Sequence, residues 1–295
     1  MIKILKLTGV VMNLDLWEDA KIDKFVESLL VRGYSNYNIP EEIPKKIVSS
    51  LQKSKSIKDA AKDFYSIPEI KNENSSFWKG RKKYSSGKAR YHEEMKFIGN
   101  LNDKKVLEIG CGSGNLAYLI SKKYKIKKYI ATDLSPPGKE IDNVEFLKQG
   151  NKTEIPVEDS SVDSILIMDM LHHVNKNQQR YLIKNAKNKL NENGKIVFFE
   201  YTFSEEKEPL YRSYFTEKFN ELSKKQKFGC MEIIDYIGNI LVNKSETPMP
   251  NSYRTMEEWE DFFKKLELKI NNSEYIGFPK RLFHQGPYGI INLSL

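Results

Sequence analysis

Five residues, Gly110-Cys111-Gly112-Ser113-Gly114, constrain this chain more than any others. They follow a short apolar run, Val106-Leu107-Glu108-Ile109, and precede a stretch of helical spacing from Asn115 to Tyr124. A strand that feeds a glycine turn and then a helix builds a binding site out of backbone. Glycine tolerates positive φ and close approach, and a helix start presents N–H groups that have no intrahelical partner. Spacing separates the classes that use this device. The phosphate-loop pattern GxxxxGK[ST] does not fit these residues. The dinucleotide fingerprint GxGxxG wants its third glycine one residue later, where Asn115 stands. What remains is E-x-G-x-G-x-G, at Glu108, Gly110, Gly112 and Gly114.

The surrounding pattern alternates. Lys128 to Thr132 reads as a second strand stopping at Asp133, Val144 to Leu147 as a third, Ser164 to Met168 as a buried fourth ending at Asp169, and Lys195 to Glu200 as a fifth. Gln178 to Leu190 reads as a helix closed by Asn193-Gly194. Such alternation implies a parallel sheet with right-handed crossovers. Thr255, with Glu258 three residues on, caps a helix to Leu266, and Leu268 to Ile276 and Tyr288 to Leu293 supply the last strands. Residues 205–250 read as a mostly helical insertion after strand five. Its aromatics Tyr211, Tyr214, Phe215 and Phe219 either line a lid or form the insertion's own core.

The first 90 residues differ. Trp17 to Leu30 has helical spacing and ends at Arg32-Gly33, Pro40 and Pro44 open a second helix, and Ser56 caps a third from Ile57 to Phe64. Pro68 and the polar stretch from Lys71 to Ser76 read as a loop. The expected architecture is a helical N-terminal cap or arm (1–90) and a doubly wound α/β domain (91–295) that carries a helical lid at about 205–250.

Composition narrows the setting. With 39% hydrophobic and 30% charged residues over 295 positions, the chain is ordinary globular material. No apolar run approaches the ~18 residues of a membrane span. The N-terminus is interrupted by Lys3, Lys6, Asn13 and Asp15, unlike a signal peptide. Two cysteines, Cys111 and Cys230, make no disulfide framework and lack zinc-ligand spacing, so no metal is expected and a cytoplasmic setting fits. The net charge of +8 points toward nucleic acid or an anionic surface. Only seven of the 48 basic residues are arginine, however, and lysine without arginine forks is poor material for reading bases.

The glycine loop resembles motif I of the class I S-adenosylmethionine-dependent methyltransferases, and the resemblance continues in order along residues 100–200. Asp133, nineteen residues past Gly114, stands where that family has an acid for the ribose hydroxyls. Two vicinal hydroxyls can both donate to one carboxylate. Gln149-Gly150-Asn151 is similar to the family's adenine-recognising G-D-A segment, with Asn151 replacing the acid. Glu158 to Asp163 is similar to the D-x-S-F-D lead-in to strand four. Asp169-Met170-Leu171-His172-His173-Val174 is similar to the post-strand-four motif of the ubiquinone/menaquinone subgroup. The resemblance implies a Rossmann-like seven-stranded methyltransferase sheet, its last strand antiparallel, with S-adenosylmethionine as cofactor and S-adenosylhomocysteine as product. It implies cofactor contacts at Glu108, Gly110, Cys111, Gly112, Gly114, Asp133, Leu134, Asn151, Lys152, Asp169 and Met170. Ser135 to Asn143 leaves little room for the usual helix after strand two.

Several residues keep two readings. His172 and His173 are the groups of that crevice that titrate near neutrality; one is a general base or substrate contact, or both pack. Asp169 meets ligand or caps its loop. Arg81, in Phe77-Trp78-Lys79-Gly80-Arg81-Lys82-Lys83-Tyr84, pairs with the cofactor's methionine carboxylate or belongs to a solvated basic loop. Tyr91 and His92 keep the same two readings, and His284, between the last strands, is a candidate for the acceptor side. Strand four is not followed by the N/D-P-P-Y/F turn of amino-methylating enzymes, and no cysteine stands at strand four or five for cytosine-C5 chemistry. Phe199-Glu200 replaces the lysine of the ribose-methylating tetrad. These features favour a small-molecule or lipid-like acceptor. The alternatives are an RNA or protein methyltransferase using the basic surface, or a non-catalytic cofactor-binding protein. The acceptor atom and the oligomeric state stay open at this level.

Overall fold

The computed structural model describes residues 19–54, 56–87, 89–245, 247–279 and 286–295. In chain order the helices α1 (Ala20–Ser35), α2 (Glu42–Gln52), α3 (Ile57–Ser66), α4 (Pro68–Lys71), α5 (Ser76–Gly87) and α6 (Ala89–Glu94) come first. Then follow β1 (Lys105–Ile109), α7 (Asn115–Lys123), β2 (Lys128–Asp133), β3 (Val144–Lys148) and β4 (Val162–Met168). A 3₁₀ turn (Leu171–His173) leads to α8 (Lys176–Lys189) and β5 (Leu190–Tyr201). After these come α9 (Tyr214–Asn220), α10 (Lys224–Asp235), a π-helical turn (Tyr236–Val242), α11 (Met256–Lys264), β6 (Lys269–Gly277) and β7 (Tyr288–Ser294).

The described residues form two compact units. One takes its residues from Met1–Ala89, Tyr211–Asn251 and Gly277–Pro287; the other is built from Arg90–Leu210, Ser252–Ile276 and Tyr288–Leu295. In the first, Asp19 caps α1 by accepting from Lys21 N (2.9 Å) and Ile22 N. The helix buries Ile22, Phe25, Val26, Leu29 and Leu30, an i, i+3, i+4 stripe. Phe25 meets Phe219 at 5.5 Å and Phe278 at 5.7 Å between ring centroids, so three separate stretches of chain share one aromatic core. Helix α1 runs past the expected stop at Gly33, which is buried within it, to Ser35; Trp17, where the sequence starts this helix, lies outside the described residues. The expected loop between Lys71 and Ser76 is present as the turn at 72–75, but it is flanked by two helices, α4 and α5. The reason is packing: Phe77 is wholly buried, 5.7 Å from the Tyr34 ring, and Trp78 donates to Ile70 O at 2.8 Å.

The second unit is a seven-stranded sheet of order β3-β2-β1-β4-β5-β7-β6. β1 pairs parallel with β2 and β4, β2 with β3 and β4 with β5, while β7 is antiparallel to β5. The α/β doubly wound reading holds. β1 and β4 diverge from the middle of the order, and ligands bind in the crevice at the carboxyl ends of such strands. Helix α11 carries the expected Thr255–Glu258 capping box and packs Trp259 and Phe263 on Phe198, each at 4.9 Å. No helix forms over residues 134–143. Asn193-Gly194 does not close α8. The helix ends at Lys189, and the pair lies in a register shift of β5, where a Cβ on Gly194 would sit 2.6 Å from Leu190 Cδ2.

Candidate active site

The glycine loop is sewn to its neighbour strand. Gly110 N and Cys111 N both donate to Thr132 O of β2 (2.8 and 3.0 Å), and Thr132 Oγ1 donates back to Glu108 O at 3.1 Å. All three glycines have positive φ: +77° at Gly110, +49° at Gly112 and +66° at Gly114. Their surroundings differ. A Cβ at Gly110 would lie 2.9 Å from Met170 Cγ, and one at Gly114 2.8 Å from the Phe146 ring. At Gly112 it would meet nothing within 4 Å, so the loop is open over its middle residue. Gly114 is also the N-cap of α7 and offers no side chain to the first N–H groups of that helix.

Asp133 closes β2 beside this opening. One carboxylate oxygen accepts from Gly112 N (2.9 Å) and the other from Ser135 N (2.9 Å), which fixes the group's orientation while each oxygen keeps a lone pair. An open glycine cradle next to an oriented carboxylate fits the ribose and adenosine side of S-adenosylmethionine. Leu134 is exposed next door. Asn151 is engaged locally: its Oδ1 accepts from Thr153 N (2.9 Å), Thr153 Oγ1 (2.9 Å) and Glu154 N (3.0 Å). The side chain thus builds an Asx turn. Lys152 is half-buried, and burial lowers its pKa.

Beneath the loop, Glu108 is buried and accepts from Tyr129 Oη at 2.7 Å. Burial pushes its carboxyl up to about 8; the Tyr129 hydrogen bond opposes this, and the charges of Glu94 and Asp133 add to it. Cys111 is buried too. Desolvation first, then Glu108 and Asp133, raise its thiol far above the ordinary range, which makes it inert as a nucleophile.

The second half of the site follows β4. Asp169 N donates to Phe199 O at 2.6 Å, and Asp169 takes φ +55°, a left-handed conformation that Asp tolerates better than most residues. Met170 then covers Gly110, and the 3₁₀ turn presents His172 and His173. The residue that sequence reasoning missed is Glu200, at the end of β5 and wholly buried. His172 Nδ1 lies 2.5 Å from Glu200 Oε1, which also accepts from Tyr201 N at 2.7 Å. Glu200 Oε2 accepts from Leu171 N (2.8 Å) and His172 N (3.2 Å). Four donors thus converge on one buried carboxylate, which anchors the imidazole and its turn. The His172 ring lies near-parallel to Tyr253 (centroids 5.1 Å) and Tyr201 (5.5 Å), with His173 at 3.9 Å. A signal for Glu200 was present in the topology: β4 and β5 are neighbours in register, Met168 opposite Phe199, so the next residues of both strands meet.

Asp169, His172 and Glu200 each offer one ligand atom within 4.8 Å of the others. Four hydrogen bonds already occupy the Glu200 oxygens, two on each. The structure places Arg81 in the other unit, on α5, where Nη2 donates to Asn243 Oδ1 at 2.5 Å and the guanidinium lies 5.7 Å from the Tyr84 ring centroid. His92 is exposed on α6, and His284 lies outside the described residues.

The known proteins that this chain is similar to are methyltransferases. Residues 79–231, 153 of 295 and so a little over half the chain, match the family described as "Methyltransferase domain". An uncharacterized methyltransferase of Staphylococcus carnosus (strain TM300) is 27% identical over 154 residues, 51% of this chain and 72% of that protein. The "Probable phthiotriol/phenolphthiotriol dimycocerosates methyltransferase 2" of Mycobacterium ulcerans (strain Agy99) is 31% identical over 80 residues, 25% of this chain and 31% of that protein. Among solved structures, a SAM-dependent methyltransferase from Aquifex aeolicus has 15% identity and a TM-score of 0.43, covering 70% of this chain and 89% of that one. The chain belongs to the class I methyltransferase family. It is an S-adenosylmethionine-dependent methyltransferase. Among the described residues, no helix is long and apolar enough to cross a membrane.

Proposed function

We propose that this enzyme methylates a small-molecule or lipid-like acceptor whose nucleophilic atom carries a proton, and that His172 takes that proton. The observation that carries this reading is the 2.5 Å contact between His172 Nδ1 and the buried Glu200 carboxylate. With Nδ1 held as the donor, Nε2 is the basic nitrogen, and Glu200 stabilises the imidazolium that forms. The cofactor supplies an electrophilic methyl group on a positively charged sulfur. The chain's part is to hold that group, to align the acceptor and to exclude water. Gly110, Gly112 and Gly114 offer backbone to the cofactor, and Asp133 takes the ribose hydroxyls. Leu134, Asn151 and Lys152 border the adenine. Glu108, Cys111, Asp169 and Met170 border the methionine end. His173 is the second acceptor-side imidazole.

In this reading residues 1–90 and 205–250 are helical additions to the methyltransferase domain, and the acceptor pocket is mostly apolar. A lipid-like acceptor is supported by the relative named for phthiotriol dimycocerosates. It is supported too by the absence of an amine-orienting turn after β4, where Asp169-Met170-Leu171 stands. The reaction is assigned to the cytoplasm, where two buried free thiols, Cys111 and Cys230, are at home.

The test is S-adenosylhomocysteine formation with panels of metabolites, lipids and RNA. We expect turnover with a metabolite or lipid, and a loss of about 10²–10⁴-fold in His172→Asn. Cofactor affinity should stay within about twofold of the parent, because His172 is given no cofactor contact. Full turnover in His172→Asn would remove the base from the mechanism. Turnover with RNA alone, falling steeply with salt, would replace the acceptor class.

A further inference from the structure

The turn that carries His172 is held from two sides, and Glu200 accounts for only one of them. Glu200 takes the N–H groups of Leu171 and His172. Their carbonyls go elsewhere. Leu171 O accepts from Val174 N and from Gln179 Nε2 (each 3.0 Å), and His172 O accepts from Ser252 N at 3.3 Å. Gln179 Nε2 also donates to Ser252 O (3.2 Å), and Gln179 Oε1 accepts from Arg254 Nη2 (3.0 Å) and Nε (3.3 Å). Every polar position of this wholly buried carboxamide is used. Arg254 is itself anchored, its guanidinium 5.2 Å from the Trp259 ring centroid and 5.0 Å from that of Phe262.

The segment engaged is not arbitrary. Ser252 is the first residue of the sheet unit after the helical stretch Tyr211–Asn251, and Tyr253 lays its ring near-parallel to the His172 imidazole, 16° between planes. We propose that Gln179 and Tyr253 are positioning residues for His172: Gln179 ties the returning segment 252–254 to the turn, and the Tyr253 ring sets the plane of the imidazole. A carboxamide suits the task, because only it donates two N–H groups to two carbonyls while accepting from a guanidinium, and it adds no charge beside Glu200. Methionine at 179 keeps the shape and loses all four bonds. Glutamate keeps the Arg254 bonds but sets carboxylate oxygen against two carbonyls.

This inference rests on His172 as the proton acceptor, but its test does not require turnover. Ring nitrogens of ¹⁵N-histidine-labelled full-length protein are followed with pH in the parent, Gln179→Met, Tyr253→Leu and Glu200→Gln, with S-adenosylmethionine affinity measured alongside. The parent should show one His172 tautomer with the proton on Nδ1. Gln179→Met and Tyr253→Leu should each mix the tautomers or shift the His172 midpoint by about half a unit or more. Cofactor affinity in both should stay within about twofold of the parent. Unchanged tautomer and midpoint in both variants would overturn the proposal and leave Gln179 a purely structural residue. If Gln179→Met does not fold, Tyr253→Leu decides it by the same spectra, since no backbone bond to the turn depends on that ring. A base role refuted by His172→Asn turnover would be a different result, visible in product formation and not in these spectra.

Discussion

The two halves of this site are made of different materials. The half at the ends of β1 and β2 is backbone: three left-handed glycines, a pair of N–H groups on Thr132 O, and one oriented carboxylate, Asp133. The half at the ends of β4 and β5 is side chains, with Glu200, Gln179 and Tyr253 converging on the 3₁₀ turn that carries His172. Backbone sites depend on conformation and tolerate little change at the glycines. Side-chain sites depend on buried polar partners, so one altered partner leaves others unsatisfied.

That contrast can be broken in four places. The largest effect is expected at Glu200→Gln. An amide must set a donor against the N–H groups of Leu171 and His172 or against Nδ1, and loses the charge that four donors serve. We expect a loss of about 3 kcal/mol in urea unfolding, the scale for breaking a buried charged contact. A variant as stable as the parent would show the network to be ornamental. Next come two substitutions within the loop that separate packing from conformation. Gly110→Ala meets Met170 and adopts φ +77°, and should lose about 2–3 kcal/mol. Gly112→Ala has open space and φ +49°, and should lose about 1 kcal/mol. The order should reverse for cofactor binding, where the Gly112 methyl fills the open cradle. Equal stabilities for the two would put Met170 elsewhere.

The third concerns pH. Glu108 holds its proton to about pH 8 in the fold, against an ordinary 4.5. The folded state therefore binds this proton more tightly than the unfolded chain does. Its contribution to stability is complete below about 4.5 and is lost as pH rises from there to about 8. Thermal melts at pH 5.5 and 8 should show this fall in the parent and a smaller one in Glu108→Gln; identical slopes would place the proton on another group. The smallest effect is at Asn151→Ala. Four local hydrogen bonds disappear from an exposed turn, and about 0.5–1 kcal/mol should go with them. A melt unchanged to within error would mean that Thr153 and Glu154 find water instead.

The same contrast explains what could be read from the sequence. The glycine half was legible because a backbone that needs positive φ writes glycine at fixed spacing, and Asp133 follows at the end of the next strand. The sheet was legible because buried strands such as Ser164 to Met168 are short, apolar and bounded. Glu200 was passed over because a carboxylate at a strand end looks solvated until its neighbour strand is known; its partner His172 lies 28 residues away. Gln179 was invisible for a similar reason, bonded to Ser252 at a separation of 73 residues. Phe77 to Tyr84 left a solvated basic loop open as a reading because Gly80 and a run of basic residues weaken its helical signal. Only the buried faces of Tyr34 and Phe77 show why it coils.

The central claim is that cofactor and acceptor are handled by separate halves of the site, the first depending on Asp133 and the second on His172. Calorimetric titration of S-adenosylmethionine into the parent, Asp133→Ala and His172→Asn tests it most directly. The account predicts binding weakened by at least about tenfold in Asp133→Ala, some 1.4 kcal/mol, and unchanged within about twofold in His172→Asn. Parent-like binding in Asp133→Ala, or binding lost in a folded His172→Asn, would contradict it.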